Sequence, residues 1–270
     1  MTDRAAHPAL SQPRPDLGRS GVIALMTPAE NPTAEPELSV LLGPDINLLS
    51  TRMHIAEPDM HVRLERYAGE MARWMAPFGN APLDAAIFAC TGSSYLVPPA
   101  NAPGRFLDHT GKHMPLISAA NAVSDAVTAL GARRLVLVSP YPDSLTAAAV
   151  KWWTAQGMDV CKVLSVPPAA SGHPIYSRDA RAILRTLQLA ARMEGDVVLA
   201  LGTGAPSLPA LAVASLDADI PMLSSNLCTA WAANAALGQP SSPLDWLAGE
   251  APWRQRLLDR FPALMASLQN

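Results

Sequence analysis

The sequence is poor in the features that announce a partner. Its 20 Lys and Arg are outnumbered by 23 Asp and Glu, for a formal net charge of -3. They form no run or stripe, and the aromatic residues do not recur at a regular spacing. Nucleic-acid binding therefore has no support, and the six Trp read as core or interface anchors. No window reaches the roughly 18 uncharged apolar residues of a membrane helix. The opening MTDRAAHPALSQPRPDLGRS has no apolar h-region and reads as a loose arm, not a signal peptide. Three cysteines, an odd number, make no disulfide framework, and CxxC, HExxH and tight His/Cys clusters are missing. No metal is expected, and a reducing cytoplasm is the expected compartment. GTGAPS satisfies neither GxxxxGK[ST] nor GxGxxG, so no nucleotide cofactor is expected either.

What is present is a globular chain. Of its 270 residues, 49% are apolar and 16% charged, the reverse of a disordered composition. GVIALM is the first strand, and TPAENPTAEPEL reads as a loop rich in Pro and Asn. INLLSTRM is a second strand, residues 59–74 a helix, and DAAIFAC a buried parallel strand that ends at Cys90. PLIS and a helix over 119–130, stopped by Gly131, complete this half. The pattern then restarts: RLVLVSPY, a helix over 143–156, MDVCKVLSV, a helix over 178–193, DVVLALG, PMLSS and a helix over 226–237. A tail helix is predicted over 253–268. Alternation of this kind predicts parallel sheets with helices on both faces.

The restart is an internal repeat. Pro28 in ALMTP and Pro140 in VLVSP precede Asp84 and Asp196 by the same interval. The next strands run from Asp84 to Cys90 and from Asp196 to Gly202, and Thr91 then matches Thr203. PLIS matches PMLS, and the ALG at Gly131 matches the ALG at Gly238. Two similar lobes can bury against each other the surface that one alone would leave open. The expected organisation is an arm over 1–19, α/β lobes over 20–131 and 132–240, and a C-terminal helix over 241–270 packing back on them. Ligands of open α/β sheets bind beyond the carboxyl ends of the strands, so Cys90 and Gly202 should face one cleft.

The candidate residues follow from that placement. Cys90 opens onto TGSS, where successive backbone N–H groups can favour a thiolate; a buried structural Cys is the plain alternative. Cys161 and Cys228 read as packing residues, inside a strand and at a helix start. Thr91, Gly92, Ser93 and Ser94, with Thr203 and Gly204 opposite, form polar turns suited to a carboxylate or to helix capping. Tyr141 could donate from its hydroxyl to a substrate oxygen. Asn31 in PAENP builds an Asx turn or meets substrate. His173 and Tyr176, in SGHPIYSRD, enter a helix from a polar loop, where His173 could bind a carboxylate or move a proton.

Over roughly 21–238 the chain resembles the Asp/Glu racemase superfamily, closest to its maleate cis-trans isomerase and arylmalonate decarboxylase branch. FACTGSS matches the first-lobe cysteine motif at Cys90. ALGTGAPSLP matches the second, with Gly202 where racemases and maleate isomerases have a second cysteine. PAENPTAEPE resembles the isomerase loop whose Asn binds a substrate carboxylate, at Asn31. LVSPY resembles the strand whose terminal Tyr contacts substrate, at Tyr141. The isomerases have an Asn near SGHPIY; none stands here, and His173 lies nearest that place. The resemblance implies two pseudo-symmetric Rossmann-like lobes, no cofactor, and a small mono- or dicarboxylate substrate. A homo-oligomer is compatible with it.

The missing thiol narrows the expected reaction. Two-base racemisation needs an acid and a base on opposite faces, which argues against an amino-acid racemase. Arylmalonate decarboxylase is similar in having one catalytic Cys, but on the second lobe, the mirror of this arrangement. The leading expectation is a maleate-like isomerase with Cys90 as nucleophile and Tyr141 as a further catalytic group. Asn31, Thr91, Gly92, Ser93, Gly202, Thr203, Gly204 and His173 would bind the substrate. An arylmalonate-type decarboxylase acting through an enediolate is the alternative, a racemase a weaker third, and a carboxylate-binding protein the non-enzymatic one.

Overall fold

A computed structural model of the chain describes residues 15–97, 105–107 and 113–269. The first sheet holds β1 (Gly21–Pro28), β2 (Ile46–Met53), β3 (Ala85–Phe88), β4 (Arg105–Leu107) and β5 (His113–Ser118), in the order β2-β1-β3-β5-β4. The second holds β6 (Arg134–Ser139), β7 (Asp159–Ser165), β8 (Val197–Ala200) and β9 (Met222–Ser224), in the order β7-β6-β8-β9. Every pairing is parallel except that of β4 with β5. Apart from β4 the two orders are the same, so the repeat builds two pseudo-symmetric α/β lobes.

The first lobe carries α1 (Ala34–Leu42), α2 (Met60–Gly69), α3 (Met71–Met75), α4 (Thr91–Leu96) and α5 (Ala119–Ala129). The second carries α6 (Asp143–Ala155), α7 (Ala180–Ala190), α8 (Ser207–Ala214) and α9 (Ser225–Ala236), and α10 (Pro243–Leu247), α11 (Pro252–Arg260) and α12 (Pro262–Gln269) end the chain. Central strands β1, β3 and β8 are buried at every position, because helices cover both sheet faces. Across the lobes, α5 packs on α9, α4 on α6 and α1 on α9.

The repeat register is visible bond by bond. Asp84 Oδ2 accepts the Val22 N–H at 2.9 Å while its own N–H donates to the Val22 carbonyl. Asp196 does the same for β6: Oδ2 accepts from Arg133 and Arg134 at 2.8 Å, and its N–H donates to the Arg134 carbonyl. Both aspartates thus tie the start of an inner strand to its neighbour. At the other end, Ala89 N–H donates to Met26 and Leu201 N–H to Val138, each at 2.9 Å.

Several expectations are corrected. The segment read as the loop TPAENPTAEPEL contains the start of α1. Pro36 lies in its first turn, where a missing N–H costs nothing, and the Asn31 Oδ1 accepts from Thr33 and Ala34 there. The single helix expected over 59–74 is broken at Glu70, which has φ -103° and ψ 31°. The tail helix is likewise divided, because Pro262 forces Phe261 out of helical geometry, to φ -131° and ψ 52°. Cys161 lies on edge strand β7, partly exposed, with its thiol against Asp159 rather than in the core; Cys228 is buried as expected. Most of the expected arm over 1–19 lies outside the described residues, as does part of the looser segment after TGSSYLV. No helix among the described residues is long and apolar enough to cross a membrane.

Candidate active site

The two matched strand ends meet across the lobe boundary. Thr203, after β8, donates from its hydroxyl to the carbonyl of Ala89, after β3, at 2.8 Å. The Asn31 amide donates to Thr203 Oγ1 at 3.2 Å, and the Thr33 hydroxyl donates to the Gly204 carbonyl at 2.9 Å. Arg52 fixes the loop from behind, donating to the Asn31 carbonyl at 2.6 Å and pairing with Glu35. Three segments distant in sequence are thereby joined at Cys90, Asn31 and Thr203, all buried.

Cys90 is the residue that precedes α4, with φ -142° and ψ 86°. TGSS is therefore the first turn of a helix rather than a free turn. The Ser93 hydroxyl donates to the Cys90 sulfur at 3.1 Å, and the backbone N–H groups of Ser93 and Gly92 also favour its charged form. Burial outweighs them and pushes the thiol above its ordinary value. The expected low-pKa thiolate is thus corrected: desolvation of a fully enclosed sulfur exceeds the gain from a few dipoles. Ser94 turns away, within 3.2 Å of the Ser118 hydroxyl.

Tyr141 reaches the same place from the end of β6. A Cβ built on Gly202 would lie 3.0 Å from the Tyr141 hydroxyl and 3.3 Å from its ring, and Gly202 has φ +89°. The volume into which a second-lobe side chain would project is taken by a phenol. Burial, followed by the charges of Tyr95 and Cys90, raises the Tyr141 pKa well above its ordinary value, so the hydroxyl stays protonated and acts as a donor. The Thr91 hydroxyl, hydrogen-bonding to the phenol, opposes that rise, and neither Thr91 Oγ1 nor the Tyr141 hydroxyl has any other partner among the described residues. Two buried hydroxyls with no partner but each other, beside a thiol, keep hydrogen-bonding capacity that a ligand can take up.

No family model matches the chain. It is 27% identical over 264 residues to the maleate isomerase of Nocardia farcinica, covering 91% of this chain and 98% of that one. To the maleate isomerase of Geobacillus stearothermophilus it is 25% identical over 227 residues, covering 77% and 88%. Among solved structures it is similar to a cysteine-to-serine variant of the Nocardia farcinica maleate cis-trans isomerase with a covalently bound succinylcysteine intermediate. The TM-score there is 0.65, with 22% identity over 87% of this chain and 98% of that one. Arylmalonate decarboxylase is similar with a TM-score of 0.59 and 16% identity, over 82% and 94%. The chain resembles enzymes of the Asp/Glu racemase superfamily. It resembles the maleate isomerase and arylmalonate decarboxylase branch in sequence and in fold.

The structure brings Cys90, Thr91, Ser93, Asn31, Thr203, Gly202 and Tyr141 together. Gly92 contributes its N–H to the sulfur and packs near Leu145 and Leu64. At Gly204 a Cβ would meet the Tyr176 ring at 2.3 Å, so only glycine lets that ring lie on the second turn. His173 stands behind Tyr176. Its ring stacks on the tyrosine at 4.1 Å, its Nδ1 accepts the N–H of Ile175 and of Tyr176, and its Nε2 is 3.5 Å from Glu30. Burial lowers its pKa. It shapes the loop that presents Tyr176, and among the described residues it shares no hydrogen bond with the Cys90 cluster.

Tyr67 and Tyr176 border the same space. Burial raises both phenols, Tyr67 to about 12, and the charge of Cys90 is the next cause for each. Sequence reading passed over Tyr67 because its helix showed no motif. It also missed Glu37 and Asn226, which lie on helices that looked like loop and like plain core. No cluster of three or more His, Cys, Asp or Glu that could hold a metal occurs among the described residues.

Proposed function

We propose that the protein is a cis-trans isomerase of a small, maleate-like unsaturated dicarboxylate, working without a cofactor and with Cys90 as its single sulfur nucleophile. The observation that carries this reading is a buried thiol flanked by two buried hydroxyls, Thr91 and Tyr141, that have no partner but each other among the described residues. The maleate isomerase relatives support it, as does the solved isomerase variant holding a succinylcysteine.

The chemistry balances with one sulfur. The thiol loses its proton to solvent, and the thiolate is held by Ser93 and the N–H groups of Gly92 and Ser93. The thiolate adds to one alkene carbon, forming a C–S bond, and the π pair moves into the adjacent carboxylate as an enediolate. The former double bond is now single and rotates. The enediolate then collapses, re-forms the alkene as the trans isomer and expels the thiolate. Tyr141 and Thr91 donate to the enediolate oxygens, where donors placed in advance stabilise charge as it develops. Asn31 and Thr203 hold the other carboxylate.

The test is purified enzyme with maleate in D2O, followed by proton NMR and intact mass. Fumarate without carbon-bound deuterium, and a transient adduct on Cys90, are expected. No turnover of maleate or related unsaturated diacids would overturn the reading. A second reading is decarboxylation of a disubstituted malonate, favoured by the single thiol between two lobes, which can protonate only one face of an enediolate. It is recognised by released CO2 and one deuterium in the product.

A further inference from the structure

Glu37 is the one fully buried carboxylate in the core of the described residues, and the mechanism does not use it. It lies on α1, one turn beyond the Asn31 loop. Its Oε1 accepts the Leu208 N–H at 2.8 Å, and its Oε2 accepts from the Asn226 amide at 2.7 Å. The same Asn226 amide donates to the carbonyl of Thr203 at 3.0 Å. One short relay thus runs from a first-lobe helix to the second-lobe turn that meets Asn31 and Ala89. No charged residue lies on α8 or α9, which supply its partners. Of the nearby cations, Arg52 on β2 bonds Glu35 and the Asn31 carbonyl, and Arg256 on α11 bonds the Val40 and Leu41 carbonyls. Burial without a paired cation pushes Glu37 up to about 8.

The relay exists on one side of the pseudo-twofold only. In the repeat register, Glu37 corresponds to Ala149 and Asn226 to Ala120, both buried. The Cys90 turn needs no such support, because α4 begins at once and absorbs its backbone groups. The Gly202 turn does: α8 starts only at Ser207, which leaves Thr203 outside any helix. Keeping a buried carboxylate is costly unless every partner is placed, and here the partners lead to the substrate turn.

We propose that Glu37 is a positioning residue, which acts through Asn226 to hold the Thr203 carbonyl and so fixes the second-lobe turn for the substrate carboxylate. The kinetic part rests on the isomerase reading; the structural part does not. Glu37→Gln and Asn226→Ser are compared with wild type and with the double variant. In ligand-free protein, deuterium exchange over 202–208 should quicken about tenfold in each variant, the effect of losing a buried hydrogen bond and leaving its partner unsatisfied, while 90–96 stays unchanged. With maleate, KM should rise about tenfold with kcat within about threefold, and the double variant should be no worse than the worse single one. Unchanged exchange at 202–208, equal quickening of both turns, or additive losses in the double variant would overturn the proposal. If wild type does not turn over maleate, the isomerase reading fails, and the exchange data alone still decide the role of Glu37.

Discussion

The two strand-end turns began as copies and now do different work. At Cys90 a helix starts immediately, and a hydroxyl and two N–H groups converge on a side chain. At Gly202 there is no side chain, the backbone is left-handed, and Tyr141 fills the vacated volume. The first turn presents a thiol. The second offers only donors, and hydrogen bonds to Ala89, Asn31 and Asn226 hold it in place. Repetition supplied two equivalent places; side-chain volume and backbone handedness left one with a buried thiol and the other with no side chain.

The sharpest way to break this comparison is at the sulfur. Cys90→Ser should lose roughly a thousandfold or more in kcat, as expected when a nucleophile is removed, with an unchanged circular dichroism spectrum. Near-normal turnover in that variant would end the single-nucleophile account. Because burial raises the thiol pKa, kcat/KM of wild type should also climb with pH and show no plateau below the ordinary thiol range, as the reactive thiolate forms only there.

Tyr141→Phe tests the second turn's donor. It should lower kcat by roughly a hundredfold, the cost of one oxyanion donor, with a smaller change in KM. An unchanged kcat would mean that the phenol only fills space. Gly202→Cys probes whether the lobes can be made alike again. With φ +89° and the phenol 3.0 Å from the new Cβ, it should lose about 1–3 kcal/mol of stability, measured by urea denaturation. Adding Tyr141→Phe removes the hydroxyl contact and should recover part of that loss but not the backbone strain.

The most gradual effect concerns Glu37, whose folded-state pKa is raised from 4.5 to about 8. The folded protein therefore holds a proton that the unfolded chain has released, and stability falls as pH rises between those values. The contribution is full below pH 4.5 and lost through about 8. While Glu37 titrates, the slope reaches at most about 1.4 kcal/mol per pH unit. In Glu37→Gln that part of the slope should vanish when urea midpoints are compared across pH. Parallel curves for the two proteins would show that Glu37 does not titrate in this window.

Much of this comparison was legible before any coordinates. The Asp84 and Asp196 positions, the strand ends at Cys90 and Gly202, and the shared threonine follow from spacing alone, because a parallel strand buried on both faces reads as an unbroken apolar run. Helices α1, α4 and α8 were not legible. Each is short and begins among Pro, Ser, Thr or Gly, so its local signals are those of turns. Glu37 was missed for the same reason: a carboxylate in a short helix looks solvated until the helix packing on it is known. Asn226 heads a helix that the sequence does show, but nothing in that stretch reveals that it meets Glu37. The thiol's charge state was misjudged because neighbouring donors are local and readable, whereas enclosure is not.

The sequence by itself determined the two-lobe repeat and the sites where its copies face each other. Its apolar periodicity specifies the strands, and equal intervals specify equal strand ends. Only the tertiary structure decided what those ends became. Desolvation that raises Cys90, the Tyr141 ring standing in the place of a second thiol, and the reach of Glu37 through Asn226 to Thr203 all depend on atoms brought close from distant segments. Such proximity is a property of packing, because a side chain's neighbours across the lobe boundary leave no trace in its own stretch of chain.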